Sequence, residues 1–104
     1  MIQKNKVSFT QSVYDLVKQI PEGYVSTYGN IAESLGTKAY RAVGNAMNKN
    51  LHAPKVPCHR VISSRGDIGG FSSGTKNKIK ILEKEGVEVK NNKIDLKKYF
   101  FKLG

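Results

Sequence analysis

The residue best suited to covalent chemistry is Cys58, the only cysteine of the 104-residue chain. It is followed directly by His59, one of two histidines. A thiolate is the reactive form of cysteine, and a nearby imidazole or cation lowers the pKa of the thiol. Adjacent side chains diverge in extended backbone, so His59 can act on the thiol only through a bend or a bridging water molecule. The pair therefore predicts either a reactive thiol or an inert, buried cysteine beside a surface histidine.

A metal site is not expected around this pair. Cys58, His59 and His52 lack the paired-ligand spacing of zinc sites, because the chain contains neither CxxC nor HxxxH. A single cysteine also cannot form an internal disulfide, which favours a reducing compartment inside the cell.

Three short helices are predicted before the cysteine. Apolar residues at helical spacing predict the first over 9–20, ended by Pro21. Thr27 is a natural N-cap for a second helix over Tyr28–Leu35, and a third follows over Tyr40–Lys49. Two short helices joined by a tight turn that contains glycine form a candidate helix-turn-helix.

The third helix has an unusual composition for a structural element. Gly44 lies at its centre, which costs about 1 kcal/mol relative to alanine, and Ala42 and Ala46 are also small. Small residues indicate that something approaches the backbone closely. Spacing alone leaves two candidates, a tightly packed neighbouring helix and a nucleic-acid groove.

The chain becomes irregular around the cysteine and regular again after it. Val61–Ile62 is a candidate strand, residues 75–85 are predicted to form a last helix, and Asn91–Asn92 is a candidate turn in the tail. Lysines repeat at every fourth position of the last helix, which is typical of a solvated face: Lys76, Lys80 and Lys84. The whole pattern predicts a mostly α fold with small β elements.

The net charge of +10 is the most informative feature of the composition. A small domain this basic suits a polyanion, because neutralising phosphates releases condensed counterions, although solubility alone is the other explanation. The N-terminus has no apolar segment typical of a secretory signal, and no apolar run reaches the roughly 18 residues of a membrane span. We expect a protein of the cytoplasm or nucleoid that does not bind membranes.

Six fragments of the sequence carry a family resemblance. In chain order they are IPEG at 20–23, STYGNIA at 26–32, RAVGNAM at 41–47, PCHRVI at 57–62, GGFSSG at 69–74 and EKEG at 83–86. In this order and at these spacings they resemble the O6-alkylguanine-DNA alkyltransferases, also called methylated-DNA–protein-cysteine methyltransferases. The resemblance implies the winged helix-turn-helix-like C-terminal domain of that family. We expect residues 1–104 to form this single domain, with the family match over 8–86 and a C-terminal extension over 87–104.

The resemblance also implies how DNA is bound. The third helix would enter the minor groove of double-stranded DNA, where Ala42, Gly44 and Asn45 would lie. Arg41 matches the arginine that fills the space of a flipped nucleotide. Tyr28 matches the tyrosine that helps to rotate the nucleotide outwards and donates a hydrogen bond to the guanine.

The same resemblance implies the reaction. Glu85 would orient His59, His59 would take the thiol proton, and the Cys58 thiolate would displace the alkyl group from O6 of guanine in a single turnover. Asn50 matches the hinge between the recognition helix and the active-site loop. The base pocket would be formed by Tyr28, Cys58, Val61, Phe71 and Ser72. No cofactor is expected, and we expect a monomer.

The chain departs from the family in ways that keep a second function open. Family members usually carry an additional N-terminal domain, which we do not expect here because residues 1–104 match only the C-terminal one, and the tail looks more like the short alkyltransferase-like proteins. Those proteins bind alkylated guanine without repairing it and have tryptophan at the position of the nucleophile. This chain keeps Cys58. The alternative function is therefore a non-catalytic sensor that binds O6-alkylguanine and recruits other repair factors.

Overall fold

The computed structural model describes residues 9–48, 56–69 and 74–103. The elements are α1 (Phe9–Val17), β1 (Ser26–Thr27), α2 (Tyr28–Ser34), α3 (Tyr40–Asn48), a 3-10 turn (Cys58–Arg60), β2 (Val61–Ile62), α4 (Thr75–Lys84) and α5 (Leu96–Tyr99). The predicted fold class, mostly helical with a small sheet, is confirmed.

Helix α1 is shorter than its apolar pattern predicts. The pattern extends to Ile20, whereas the α-helix ends at Val17. The next residues continue in tighter turns, because Gln19 N donates to Leu16 O at 2.9 Å and Ile20 N donates to Val17 O at 3.1 Å. Ile20 is still fully buried, so the apolar pattern predicts its burial correctly and its backbone conformation incorrectly.

Helices α2 and α3 form the predicted helix-turn-helix pair. The Thr27 hydroxyl accepts a hydrogen bond from Asn30 N at 3.0 Å and caps α2, as the sequence predicts. The helix ends at Ser34, and Gly36 adopts a φ of 71°, the left-handed conformation that glycine tolerates best. Both helices pack against α1.

The two strands lie between two clusters of buried residues. They pair in parallel, with Ser26 opposite Val61 and Thr27 opposite Ile62. Neighbouring side chains of a strand point to opposite faces, so Val61 packs with the helices α1, α2 and α3 whereas Ile62 packs with α4 and the tail. A two-residue strand thus contributes to both halves of the core.

The C-terminal tail is attached to the other side of β1. Val25 N donates to Tyr99 O at 2.9 Å, and Phe101 N donates to Val25 O at 2.8 Å. Leu103 N donates to Asn30 Oδ1 at 2.7 Å, and that oxygen also accepts from the Ser26 hydroxyl. Within the tail, Tyr99 and Leu103 are buried whereas Phe100 is exposed.

The predicted turn at Asn91–Asn92 is also present. Both residues have positive φ, 53° and 61°, as the hairpin turn that asparagine favours requires. Lys90 and Lys93 exchange two backbone hydrogen bonds of 2.9 Å across it. In the described parts of the chain, no helix has the length and apolarity needed to cross a bilayer.

Replacing Leu103 tests whether the tail stabilises the fold. Leu103→Ala removes a side chain that is only 2% exposed in the helical cluster, which should lower the free energy of unfolding by about 2–4 kcal/mol. Lys102→Ala, a neighbouring exposed position, is the control and should change it by less than about 0.5 kcal/mol. Urea denaturation measures both; equal small effects would mean that the tail is loose in solution.

Candidate functional site

Cys58 begins a 3-10 turn instead of lying in extended backbone. The turn is closed by two hydrogen bonds, from Cys58 N to Val56 O at 2.8 Å and from Arg60 N to Pro57 O at 2.9 Å. The Cys58 side chain lies within the helical cluster, and the residue is 8% exposed. The turn supplies the bend that adjacent cysteine and histidine side chains need to act together.

His59 is held by Glu85, the residue that ends α4. Their side chains meet at 3.0 Å, between His59 Nε2 and Glu85 Oε2. An ionised carboxylate can only accept hydrogen bonds, so Nε2 carries the proton and Nδ1 is left as the acceptor of the neutral ring. Burial, together with the nearby charges of Arg60 and Lys78, lowers the pKa of His59 although Glu85 raises it, so the imidazole is neutral at physiological pH. A neutral ring with a free Nδ1 can accept a proton.

Arg60 fixes Glu85 in turn. Its guanidinium binds both carboxylate oxygens, with Arg60 Nε 3.0 Å from Oε1 and Nη2 2.8 Å from Oε2. The third nitrogen, Nη1, donates to Ile20 O at 2.9 Å and so ties the cluster to the segment after α1. Burial alone would raise the pKa of Glu85, but hydrogen bonds from Arg60 and His59 outweigh burial and lower that pKa. The carboxylate is therefore ionised.

Lys78 is a fully buried lysine that the sequence analysis missed. Its ammonium donates to Val61 O at 2.9 Å and to Ile68 O at 2.6 Å, which joins α4 to β2 and to the loop behind it. Burial lowers the pKa of Lys78 to about 8, and the nearby Cys58 opposes that shift. Lys78 precedes the buried Leu82 by four residues, and this helical spacing was the available signal that it faces inwards.

Tyr28, the first residue of α2, lies half-buried near the thiol. Burial and the proximity of Cys58 raise its pKa, so the phenol stays protonated and can donate a hydrogen bond at neutral pH. Two residues of the predicted base pocket, Cys58 and Val61, have backbone carbonyls that already accept one hydrogen bond each. Cys58 O accepts from Val61 N, and Val61 O accepts from Lys78. Each carbonyl oxygen keeps a second lone pair for a ligand.

Helix α3 has one buried and one open face. Val43, Ala46 and Met47 are buried, and the Tyr14 hydroxyl donates to Ala46 O at 2.9 Å. On the other face Arg41 and Asn45 are exposed, while Ala42 and Gly44 are half-buried. A Cβ added at Gly44 would meet no heavy atom of the described chain within 4 Å. Of the two explanations for the small residues, a tightly packed neighbouring helix is therefore not seen at Gly44.

Three of the predicted site residues lie outside the described part of the chain: Asn50, Phe71 and Ser72. The other predicted residues fall into two groups. Around the thiol lie Tyr28, Cys58, His59, Val61 and Glu85, and on the open face of α3 lie Arg41, Ala42, Gly44 and Asn45.

Residues 8–87 match the family described as "6-O-methylguanine DNA methyltransferase, DNA binding domain". The chain belongs to this family. A methylated-DNA–protein-cysteine methyltransferase of Saccharolobus solfataricus is 52% identical over 81 residues, which are 78% of this chain and 52% of that protein. A bifunctional methyltransferase/endonuclease of Picrophilus torridus is 47% identical over 90 residues, 86% of this chain and 30% of that protein. The chain thus spans about half or less of the length of these methyltransferases.

Two solved structures with a similar fold were determined in complex with DNA. S. pombe Atl1, crystallised with damaged DNA containing O6-carboxymethylguanine, is 40% identical with a TM-score of 0.82, and the match covers 98% of this chain and 99% of that one. Mycobacterium tuberculosis OGT in complex with DNA is 41% identical with a TM-score of 0.73, over 76% of this chain and 50% of that one. The helix-turn-helix-like character of the predicted fold agrees with both neighbours.

The buried Lys78 should make stability depend on pH in alkaline solution. Its ammonium releases a proton near pH 8 in the folded protein, whereas an unfolded lysine keeps its proton to about pH 10.4. The unfolded state binds more protons between these values, so the free energy of unfolding should rise with pH there, by on the order of 3 kcal/mol at most.

Lys78→Met tests this effect, because groups that do not interact with Lys78 titrate equally in both proteins. Chemical denaturation measures the free energy of unfolding of both proteins at each pH. The natural protein should gain stability relative to the variant as the pH rises through this window. A difference that stays constant with pH would show that the ammonium is not desolvated.

Proposed function

We propose that this protein repairs DNA by binding O6-alkylguanine and transferring the alkyl group irreversibly to Cys58. The observation that carries the proposal is the arrangement of a buried thiol beside a neutral histidine whose far nitrogen is held by an ionised Glu85. An inert cysteine would need no such partner. The charge of +10 fits a polyanionic substrate.

DNA binding would use the open face of α3. Its small residues let the backbone approach the minor groove of the duplex, and the exposed Arg41 forms no ion pair within the described chain. Arg41 is therefore free to enter the base stack in place of an extruded guanine. Tyr28 packs against the cluster of buried residues that contains Cys58, so its phenol would donate to a guanine bound beside the thiol.

The chemistry is a displacement at the alkyl carbon. The Cys58 thiol gives its proton to His59 Nδ1, directly or through a water molecule, and Glu85 stabilises the imidazolium that forms. The thiolate electron pair forms the S–C bond while the C–O6 electron pair leaves with the guanine. The guanine anion takes up a proton from water and becomes ordinary guanine, and the imidazolium returns its proton to water. The Tyr28 hydroxyl donates towards the developing negative charge. The product is a thioether, which disulfide exchange cannot reverse, so each molecule acts once.

The alternative is a sensor that binds the lesion without repairing it. S. pombe Atl1, crystallised with DNA that contains O6-carboxymethylguanine, favours it, because the match covers nearly the whole of both chains, whereas the methyltransferase matches cover only about half of those proteins or less. The presence of Cys58 with its histidine and glutamate favours transfer. The two functions differ in whether the protein becomes alkylated.

Replacing the nucleophile separates the two functions. After incubation with a duplex that contains O6-methylguanine, intact-mass spectrometry should show one added methylene group per natural chain and none for Cys58→Ser. Because the serine variant keeps Tyr28 and Arg41, it should still prefer the lesion duplex in a binding assay. An unmodified natural protein that binds the lesion would establish the sensor, and a methylated Cys58→Ser protein would rule out Cys58 as acceptor.

Replacing Glu85 tests the proton relay. Glu85→Gln removes the charge that stabilises the imidazolium, so the rate of transfer should fall by about 100-fold, while lesion affinity changes little. The substitution also lowers the pKa of His59 further, because Glu85 raises that pKa, so the acid limb of the rate profile should move to lower pH.

The matched control is Glu83→Gln, which removes an exposed carboxylate from the same helix. It should leave both the rate and the pH profile unchanged. Glu85 would be limited to a structural role if Glu85→Gln left the pH profile unchanged and the fall in transfer rate matched the fall in the fraction of folded protein.

A further inference from the structure

Three shallow surface concavities adjoin one another from the turn between α2 and α3 to the C-terminal tail. The middle one shares Gly29, Glu33 and Tyr40 with the first and Thr27, Ser64 and Phe100 with the third, so together they form a row. We call this row the tail groove and define it by the residues Gly29, Tyr40, Ser64, Lys97, Phe100 and Lys102. It has no part in the chemistry described above.

The tail groove begins where the proposed DNA-binding residues stand. Gly29 follows Tyr28 directly, and Tyr40 precedes Arg41. A Cβ at Gly29 would lie 2.6 Å from the Ser64 hydroxyl, so glycine lets the loop after β2 close against α2 and form the groove floor. Two lining residues of the groove are thus direct chain neighbours of the two residues proposed to engage DNA.

The charge of the groove favours an anion. Three exposed lysines line it, Lys38, Lys97 and Lys102, and one acidic residue, Glu33, also lies there. None of these lysines forms an ion pair within the described residues, although elsewhere in the tail Lys90 and Lys93 pair with carboxylates. The exposed rings of Tyr40 and Phe100 add flat apolar surface between the charges.

The tail segment that bears these groups is held in place. Phe100 N donates to Leu96 O at 3.1 Å, and the hydrogen bonds of Val25 and Asn30 fix the backbone on either side of Phe100 and Lys102. Lysines on an ordered segment lose less conformational entropy when they bind than lysines on a loose tail would. The groove is thus a preformed surface.

We infer that the tail groove binds the sugar-phosphate backbone of the DNA strand flanking the extruded nucleotide. Lys97 and Lys102 pair with phosphates, and Phe100 and Tyr40 pack against deoxyribose. The inference rests on the proposed function for the presence of DNA, but it assigns a second contact region that the thiol site and α3 do not supply. It gives the C-terminal tail a role in binding as well as in stability.

The test compares two double variants that remove equal charge from different surfaces. Lys97→Gln/Lys102→Gln removes it from the tail groove. Lys80→Gln/Lys84→Gln removes it from the outer side of α4, at a concavity that shares no lining residue with the groove. All four lysines are exposed, so both variants should fold, which thermal unfolding checks.

Binding to duplexes with O6-methylguanine or guanine is measured as a function of salt. For the tail variant, the slope of log affinity against log salt should fall in magnitude by about 1 for each lysine removed, whereas the α4 variant should keep the natural slope. The preference for the lesion duplex should be unchanged in both, because phosphate contacts carry no information about the base.

Two results would overturn the inference while leaving the proposed function intact. The first is a tail variant whose slope of log affinity against log salt equals that of the natural protein. The second is an equal loss of slope in the tail and α4 variants, because that would indicate a general effect of net charge. A natural protein that shows no preference for the lesion duplex would instead contradict the proposed function itself.

Discussion

The parallel pairing of Ser26–Thr27 with Val61–Ile62 is the constraint on which the rest of the structure depends. It brings two segments that are far apart in the chain to one place. The end of β1 leads into α2 and thus to Tyr28, while the start of β2 follows the turn that bears Cys58. Only two residues of each strand take part, so the pairing needs support from both sides. Val61 and Ile62 provide it, because each packs into a different half of the core.

Buried charges hold the reactive turn against this sheet. The Lys78 ammonium donates hydrogen bonds to two backbone carbonyls, one of them in β2. The Arg60 guanidinium binds both the Glu85 carboxylate and the backbone after α1. Such groups are costly to desolvate, and replacing a buried ion pair by apolar side chains often leaves stability unchanged or raises it. In this protein the buried charged groups hold the turn that bears Cys58 and His59 in one position. A histidine that must accept a proton needs a fixed ring and a fixed tautomer, which the hydrogen bond to Glu85 provides. Arg60 binds both oxygens of Glu85, which holds that carboxylate in place and contributes to its lowered pKa.

The tail completes the small core. It continues the sheet past β1 through Val25, and Leu103 enters the same cluster of buried residues as Cys58. Tyr99 and Leu103 lie in different clusters of buried residues, so the tail covers apolar surface in both halves of the core. Its attachment through Asn30, a residue of α2, also couples the tail to the helix that begins with Tyr28.

The sequence by itself determined the elements and the chemical groups, whereas the tertiary structure decided how those groups act together. The Thr27 cap, the Asn91–Asn92 turn and the helix-turn-helix pair could be read from neighbouring residues, because capping and turn formation are local. The family resemblance supplied Glu85 as the partner of His59. Local patterns could not show that α1 ends at Val17, that Lys78 is buried, or that Arg60 holds Glu85, since Arg60 and Glu85 are 25 residues apart. The contact between Leu103 and Asn30 spans 73 residues. Such contacts supply hydrogen-bond partners for polar atoms that folding buries, and only the packed core determines which polar atoms are buried.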